Sequence, residues 1–206
     1  MLKVAIVLFD GVEELDFAGP YEVFGNVAEV FTVAAAPQVK GRHGLKVAPD
    51  YTFATAPQPD VLVVPGGPVT RENPGSLTDA VAYVRQVAPA CRNVLSVCTG
   101  AFVLGQAGLL EGRHCTTHYR RRHLLMAQYP EAHLHYTRVV HDGKFISTAG
   151  VAAGIDGALF LIARLVDMET ARKVAKQIEY PWHSHHVHHA RQGTEEHEWQ
   201  EAPAAW

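Results

Sequence analysis

The chain has 206 residues, 48% of them hydrophobic and 19% charged, a globular balance with enough apolar side chain for one sizeable core. A formal net charge of −3 excludes the dense basic footprint of a nucleic-acid-binding domain. No apolar run reaches the roughly 18 residues that span a bilayer, because Arg164 interrupts the longest one, residues 158–166, and residues 2–9 are too short for a signal-peptide core. These features predict a soluble cytoplasmic protein, with one domain over residues 1–194 and a loosely held tail over 195–206.

Residues 2–9 are almost all apolar, as expected of a strand covered on both faces. An acidic loop with Glu13, Glu14 and Asp16 follows, and Gly19-Pro20 opens a short helix over 21–27. Residues 30–36 read as a second strand and 47–53 as a strand or hairpin arm. Residues 61–64 form a buried strand that stops at Pro65-Gly66-Gly67-Pro68. A helix over 77–87 carries Leu77, Val81, Val84 and Val87 on one face. The strand 94–97 runs into Cys98-Thr99-Gly100 and a helix that ends near Gly108. A short helix over 124–129 stops at Pro130, and Asp142-Gly143 marks a hairpin between 134–140 and 144–148. Helices over 154–166 and 169–178 complete the pattern. Strands alternating with helices predict an α/β fold, a mostly parallel sheet with helices on both faces.

Three cysteines with no Cys-x-x-Cys pair argue against a disulfide framework and against a thiolate zinc site. Cys91 and Cys115 read as small core residues. Cys98 differs, because strand, cysteine, helix is the layout of a nucleophile elbow. A helix N-terminus there lowers the thiol pKa. In such sheets ligands sit beyond the carboxyl ends of strands. Three ends therefore matter: the acidic loop, Gly66-Gly67 and Cys98-Thr99. If their strands are neighbours, a carboxyl group, a glycine-rich backbone and a thiol converge. The amides of Gly66, Gly67 and Thr99 would then form an oxyanion-hole-like site, with the acid moving a proton.

Residues 6–24, Val63-Val64-Pro65-Gly66-Gly67, Ser96-Val97-Cys98-Thr99-Gly100 with Thr116-Thr117-His118, and Ser147-Thr148-Ala149-Gly150 through Asp156 resemble the ordered motifs of the ThiJ/PfpI superfamily, relatives of class I glutamine amidotransferases. The resemblance implies a flavodoxin-like three-layer sandwich, a homodimer, and no metal or organic cofactor. Asp16, Gly19-Pro20, Glu22-Val23-Phe24 and Cys98-Thr99-Gly100 are similar to the branch that hydrates isonitriles. The protease-like branch has His after its nucleophile, where this chain has Thr99. The branch resemblance implies Cys98 as nucleophile, Asp16 as acid and base, and Thr99 as a positioning group. It also places His118 near the thiol, as a proton donor or as a structural residue. Two other uses of Cys98 stay open: glyoxalase- or deglycase-like action on small aldehydes, and redox, stress or ligand sensing. Regulators that fuse this fold to a helix-turn-helix domain need more chain than the 26 residues after Tyr180. Arg120-Arg121-Arg122 reads as a solvated helix start, with carboxylate binding as the alternative. The histidine-rich stretch 183–189 lies outside the expected site, and no metal is assigned to it.

Overall fold

The structure, a computed structural model, describes residues 1–184 and 187–190. The tail expected over 195–206, the boundary at 194, and His185 and His186 lie outside the described residues. In chain order the elements are β1 (Lys3–Val7), α1 (Glu14–Gly25), β2 (Glu29–Ala34), β3 (Val39–Lys40), β4 (Lys46–Val47), β5 (Tyr51–Thr52), β6 (Val61–Val64), α2 (Val69–Glu72), α3 (Thr78–Val87), β7 (Asn93–Val97) and α4 (Gly100–Gln106). They continue with β8 (His114–Cys115), α5 (Arg122–Gln128), β9 (His133–Leu134), β10 (Val139–Asp142), β11 (Phe145–Thr148), α6 (Ala153–Leu165), α7 (Met168–Gln177) and β12 (Val187–His189).

Eight strands form one sheet in the order β12-β10-β11-β7-β6-β1-β2-β5. All its neighbours are parallel except the hairpin β10–β11, which Asp142-Gly143 turns as its sequence demands. β6 and β7 are buried along their whole length, and β1 is buried from Val4 to Val7, so their continuous apolar runs match strands covered on both faces. Helix α6 packs on α1 and α7, while α3 packs on α4, giving the two layers that flank the sheet. This is the mostly parallel sheet with helices on both faces that the alternating pattern predicts, and the flavodoxin-like sandwich that the resemblance implies. No helix among the described residues is long and apolar enough to cross a membrane.

Four local expectations change. Helix α1 begins at Glu14, so Asp16 lies in its first turn rather than in a loop, and Pro20 lies inside the helix. Proline's missing N–H placed the expected start at residue 20. Burial of Phe17, Val23 and Phe24, together with acids in the first turn, holds the earlier turn in place. The stretch 47–53 splits: β4 pairs with β3 in a small hairpin, and β5 pairs with β2 at the sheet edge. The one-turn helix α2 and the histidine-bearing strand β12 have no apolar periodicity to announce them.

Candidate active site

β1, β6 and β7 are adjacent, with Val4 opposite Val61 and Val64 opposite Ser96, so the three strand ends meet on one edge. Cys98 leaves β7 with φ of 57°, a left-handed conformation that costs a non-glycine residue on the order of 1–3 kcal/mol. The surroundings hold it there. Its N–H lies 3.2 Å from the carbonyl of Thr148 and 3.0 Å from that of Ala149, donating to both, and its own carbonyl accepts from the Thr117 hydroxyl at 2.8 Å. A Cβ at Gly100 would stand 2.0 Å from the carbonyl oxygen of Val64, so only glycine lets α4 start this close to β6. This is the elbow that the strand-cysteine-helix pattern implies.

The glycine amides have other partners than those expected. Gly66 N–H donates to Asp16 Oδ2 at 2.9 Å, and Gly67 N–H donates to Thr99 Oγ1 at 2.9 Å. The Thr99 hydroxyl in turn donates to the Gly67 carbonyl at 3.1 Å. Both amides are therefore consumed in holding Asp16 and Thr99, and neither serves as an oxyanion donor. The backbone amides that reach the Cys98 sulfur are those of Val151 and Thr99. Val151 has φ of 48°, which turns its amide inward from the loop before α6. Sequence reasoning missed it, since a valine advertises nothing; only the preceding Ala149-Gly150 marked the loop.

Asp16 is fully buried. Burial is the main reason its pKa climbs from 3.8 to about 7; the Gly66 hydrogen bond opposes the rise, the nearby Glu13 charge adds to it, and the Cys98 thiol, as a hydrogen-bond partner, opposes it. Asp16 Oδ1 has no further partner of regular geometry. Cys98 is 6% exposed rather than open to solvent. Burial, and then the Asp16 charge, push its thiol up to about 12, against the pull of the Val151 and Thr99 amides. The expected lowering of the thiol pKa is thus corrected: a short helix N-terminus does not offset desolvation here. What titrates near neutrality is the carboxyl group beside the thiol.

A cavity of about 280 Å³ opens over the sulfur. His118 lines it, with its ring against Gly150, where a Cβ would fall 2.4 Å from the imidazole Cδ2. His118 Nδ1 accepts the Arg120 N–H at 3.3 Å. Burial, then the charges of Arg121, Arg120 and Arg71, lower its pKa. The groups that dominate the sulfur are Asp16, Val151 and Thr99, and His118 forms part of the cavity wall. Arg120 and Arg121 also line the cavity, whereas Arg122 stacks on Tyr136; the arginine run is therefore only partly a solvated helix start. Arg42 and Arg71, unflagged by the sequence, complete the cationic wall, and Arg42 pairs with the buried Glu13.

A flavodoxin-like sandwich with a cysteine at its elbow and a buried acid beside it defines a class of α/β protein with one thiol-centred site. Residues 2–164 match the DJ-1/PfpI family, and the chain belongs to that family. It is 37% identical over 187 residues to isonitrile hydratase of Pseudomonas putida, covering 87% of this chain and 78% of that protein. It is 28% identical over 148 residues to the HTH-type transcriptional regulator GbdR of Pseudomonas aeruginosa, covering 69% of this chain and 38% of the regulator. A crystal structure of a ThiJ/PfpI family protein from Pseudomonas syringae superposes with a TM-score of 0.81 at 32% identity, covering 87% of this chain and 75% of that one.

Proposed function

We propose that this protein hydrates isonitriles to N-substituted formamides, with Cys98 as nucleophile and Asp16 as the proton carrier. The observation that carries this reading is the buried Asp16 carboxyl group, titrating at about 7 beside the Cys98 thiol under one small cavity. Identity to an isonitrile hydratase over most of the chain supports it.

The reactive state of the pair holds one proton. As the Cys98 sulfur bonds to the terminal carbon of R–N≡C, Asp16 takes the thiol proton and returns it to that carbon. The product is a thioimidate, S–CH=N–R. Asp16, again a carboxylate, removes a proton from water as the oxygen attacks the same carbon and passes that proton to the nitrogen. Collapse of the S–CH(OH)–NH–R adduct forms the carbonyl and breaks the C–S bond. The hydroxyl proton passes through Asp16 to sulfur, and HC(=O)–NH–R leaves. The sum is addition of one water with no change in oxidation level. The amides of Val151 and Thr99 face the sulfur and favour the charge it carries as it reacts.

Cys98→Ala is expected to abolish turnover of an alkyl isonitrile. Asp16→Asn is expected to lower kcat/KM by about 10²–10⁴-fold. In the wild type, kcat/KM should rise about tenfold per pH unit below neutrality and level off above about 7 as Asp16 gives up its proton; Asp16→Asn should lose that inflection. Retained turnover in Cys98→Ala would sink the mechanism. Methylglyoxal and dilute peroxide, assayed in parallel, read out the aldehyde and redox alternatives. The buried, protonated thiol gives redox sensing less support than an exposed thiolate would.

A further inference from the structure

Away from the cavity, His114 of β8, His135 just after β9, and His188 of β12 converge, each half-buried. One ring nitrogen from each lies within 4.8 Å of the other two. His114 Nδ1 and His135 Nε2 are 2.7 Å apart, and the rings of His135 and His188 stack with centroids at 4.0 Å. The fold builds this meeting from separate parts. β8 and β9 pair in parallel with His114 opposite His133, and the His135 N–H donates to the Cys115 carbonyl at 2.8 Å. Asp142, at the end of β10, accepts the backbone N–H of His114 at 3.0 Å. β12 adds to β10 with Val140 opposite His188. Strand alternation then sends His188 to this cluster and His189 to the other face, where its Nδ1 meets His141 Nδ1 at 3.2 Å.

We propose that His114, His135 and His188 bind one divalent transition-metal ion of the zinc, nickel or copper kind. Imidazole nitrogen suits these ions, and no carboxylate in the donor set favours calcium or magnesium. A tetrahedral ion with metal–nitrogen bonds of about 2.0–2.1 Å needs donors roughly 3.4 Å apart. His114 Nδ1 and His135 Nε2 now stand 2.7 Å apart and all three donors lie within 4.8 Å of one another, so side-chain rotations that part the first pair and unstack His135 from His188 bring them onto the ion. The ion replaces the His114–His135 hydrogen bond, and each ring then keeps its proton on its other nitrogen. Three protein ligands leave a fourth position for water. The ion joins β12 to the β8–β9 pair, and so clips the last described strand to the body of the fold.

The test is Zn²⁺ or Ni²⁺ titration of the full chain, made without an affinity tag and stripped with chelator, in a Cys98→Ser background that removes the elbow thiol as a ligand. One ion per chain is expected, with a rise in thermal midpoint when the ion is in excess. His135→Gln should weaken binding by roughly 100-fold, at least the upper end of what losing even an outer-shell partner costs. The double variant His114→Ala/His188→Ala should do the same. His185→Ala/His186→Ala, made as a control for other histidines in the stretch, should leave binding intact. Unfolding of His135→Gln, checked by circular dichroism, leaves the double variant to decide. Binding that survives both ligand variants, or that disappears with the control, overturns the proposal.

A different observation carries a second inference, which rests on the hydratase reading. Four guanidinium-bearing residues, Arg42, Arg71, Arg120 and Arg121, line the cavity against a single carboxylate, Glu13. Arg42 is neutralised by Glu13. Arg71, largely covered, holds the Gly67 carbonyl at 3.3 Å, pairs with the exposed Glu72 at 3.2 Å and is repelled by Arg121. We infer that the substrate is an anionic isonitrile, whose carboxylate docks between Arg71 and Arg121 while its terminal carbon meets Cys98. Isocyanoacetate should show about tenfold or higher kcat/KM than its methyl ester, the scale of one charge-assisted hydrogen bond. Arg121→Met should erase that ratio. Equal turnover of acid and ester overturns the substrate class and leaves the hydratase reading standing. If neither is turned over, the hydratase reading fails, and alkylation of Cys98 by iodoacetate relative to iodoacetamide then reads the cavity's charge preference directly, in wild type and Arg121→Met.

Discussion

At the residue scale the decisive group is Asp16. In an unfolded chain it ionises near 3.8, and in the fold it holds its proton until about 7. Between those values the folded state binds more protons than the unfolded one, so stability falls as pH rises through that window. The total loss is about 4 kcal/mol, from roughly three units at 1.36 kcal/mol each. The Cys98 thiol, raised from 9.0 to about 12, extends the same loss into alkaline solution. Urea unfolding from pH 4 to pH 8 should show the decline, and Asp16→Asn should flatten it. A wild-type stability constant over that range would show that the carboxyl group is solvated after all. On the hydratase reading, the ionisation that destabilises the fold is also the one that prepares the site, so optimum stability and optimum turnover should fall at different pH values.

At the scale of elements, the bridge between β6 and β7 carries the site. The Thr99 hydroxyl spans Gly67 N–H and Gly67 C=O and ties the two strand ends together. Thr99→Val keeps the shape and strands the Gly67 N–H, while the Gly67 carbonyl keeps the Thr70 hydroxyl at 2.9 Å; the change should cost about 1–3 kcal/mol in thermal or urea unfolding. Thr99→Ser should recover most of it, and an unaffected Thr99→Val would mean that water replaces the hydroxyl. Much of this element was legible beforehand. Continuous apolar runs at 61–64 and 94–97 mark buried strands, and the elbow follows from cysteine between strand and helix. The direction of each hydrogen bond was not legible, because glycine amides look alike in a sequence whether they face a substrate or a neighbouring carboxyl group. Nor was the Glu13–Arg42 pair, which joins residues 29 positions apart through the β3–β4 hairpin. The start of α1 was misplaced because a local rule about Pro20 lost to tertiary burial.

At the scale of the whole molecule, the late segments are closed by one polar cluster. Asp156, in the first turn of α6, accepts from Arg138 Nε at 2.7 Å and from the Tyr180 hydroxyl at 2.8 Å, and Arg138 Nη2 donates to the Tyr180 oxygen at 2.9 Å. Arg138 leads into β10 and Tyr180 follows α7, so the cluster fixes where the chain must run to lay β12 beside β10. It also holds the first turn of α6, next to the loop that aims the Val151 amide at sulfur. Arg138 and Tyr180 share one buried carboxylate, so their contributions should not add. Tyr180→Phe removes one charge-assisted bond and should cost about 1.5–3 kcal/mol. Arg138→Met should cost more, because it leaves the Asp156 carboxylate buried without its counter-charge. The double variant should fall short of the sum by at least about 0.5 kcal/mol. Strict additivity in urea unfolding would mean that the two partners hold Asp156 independently, and that closure of the C-terminal strand rests on β10–β12 pairing alone.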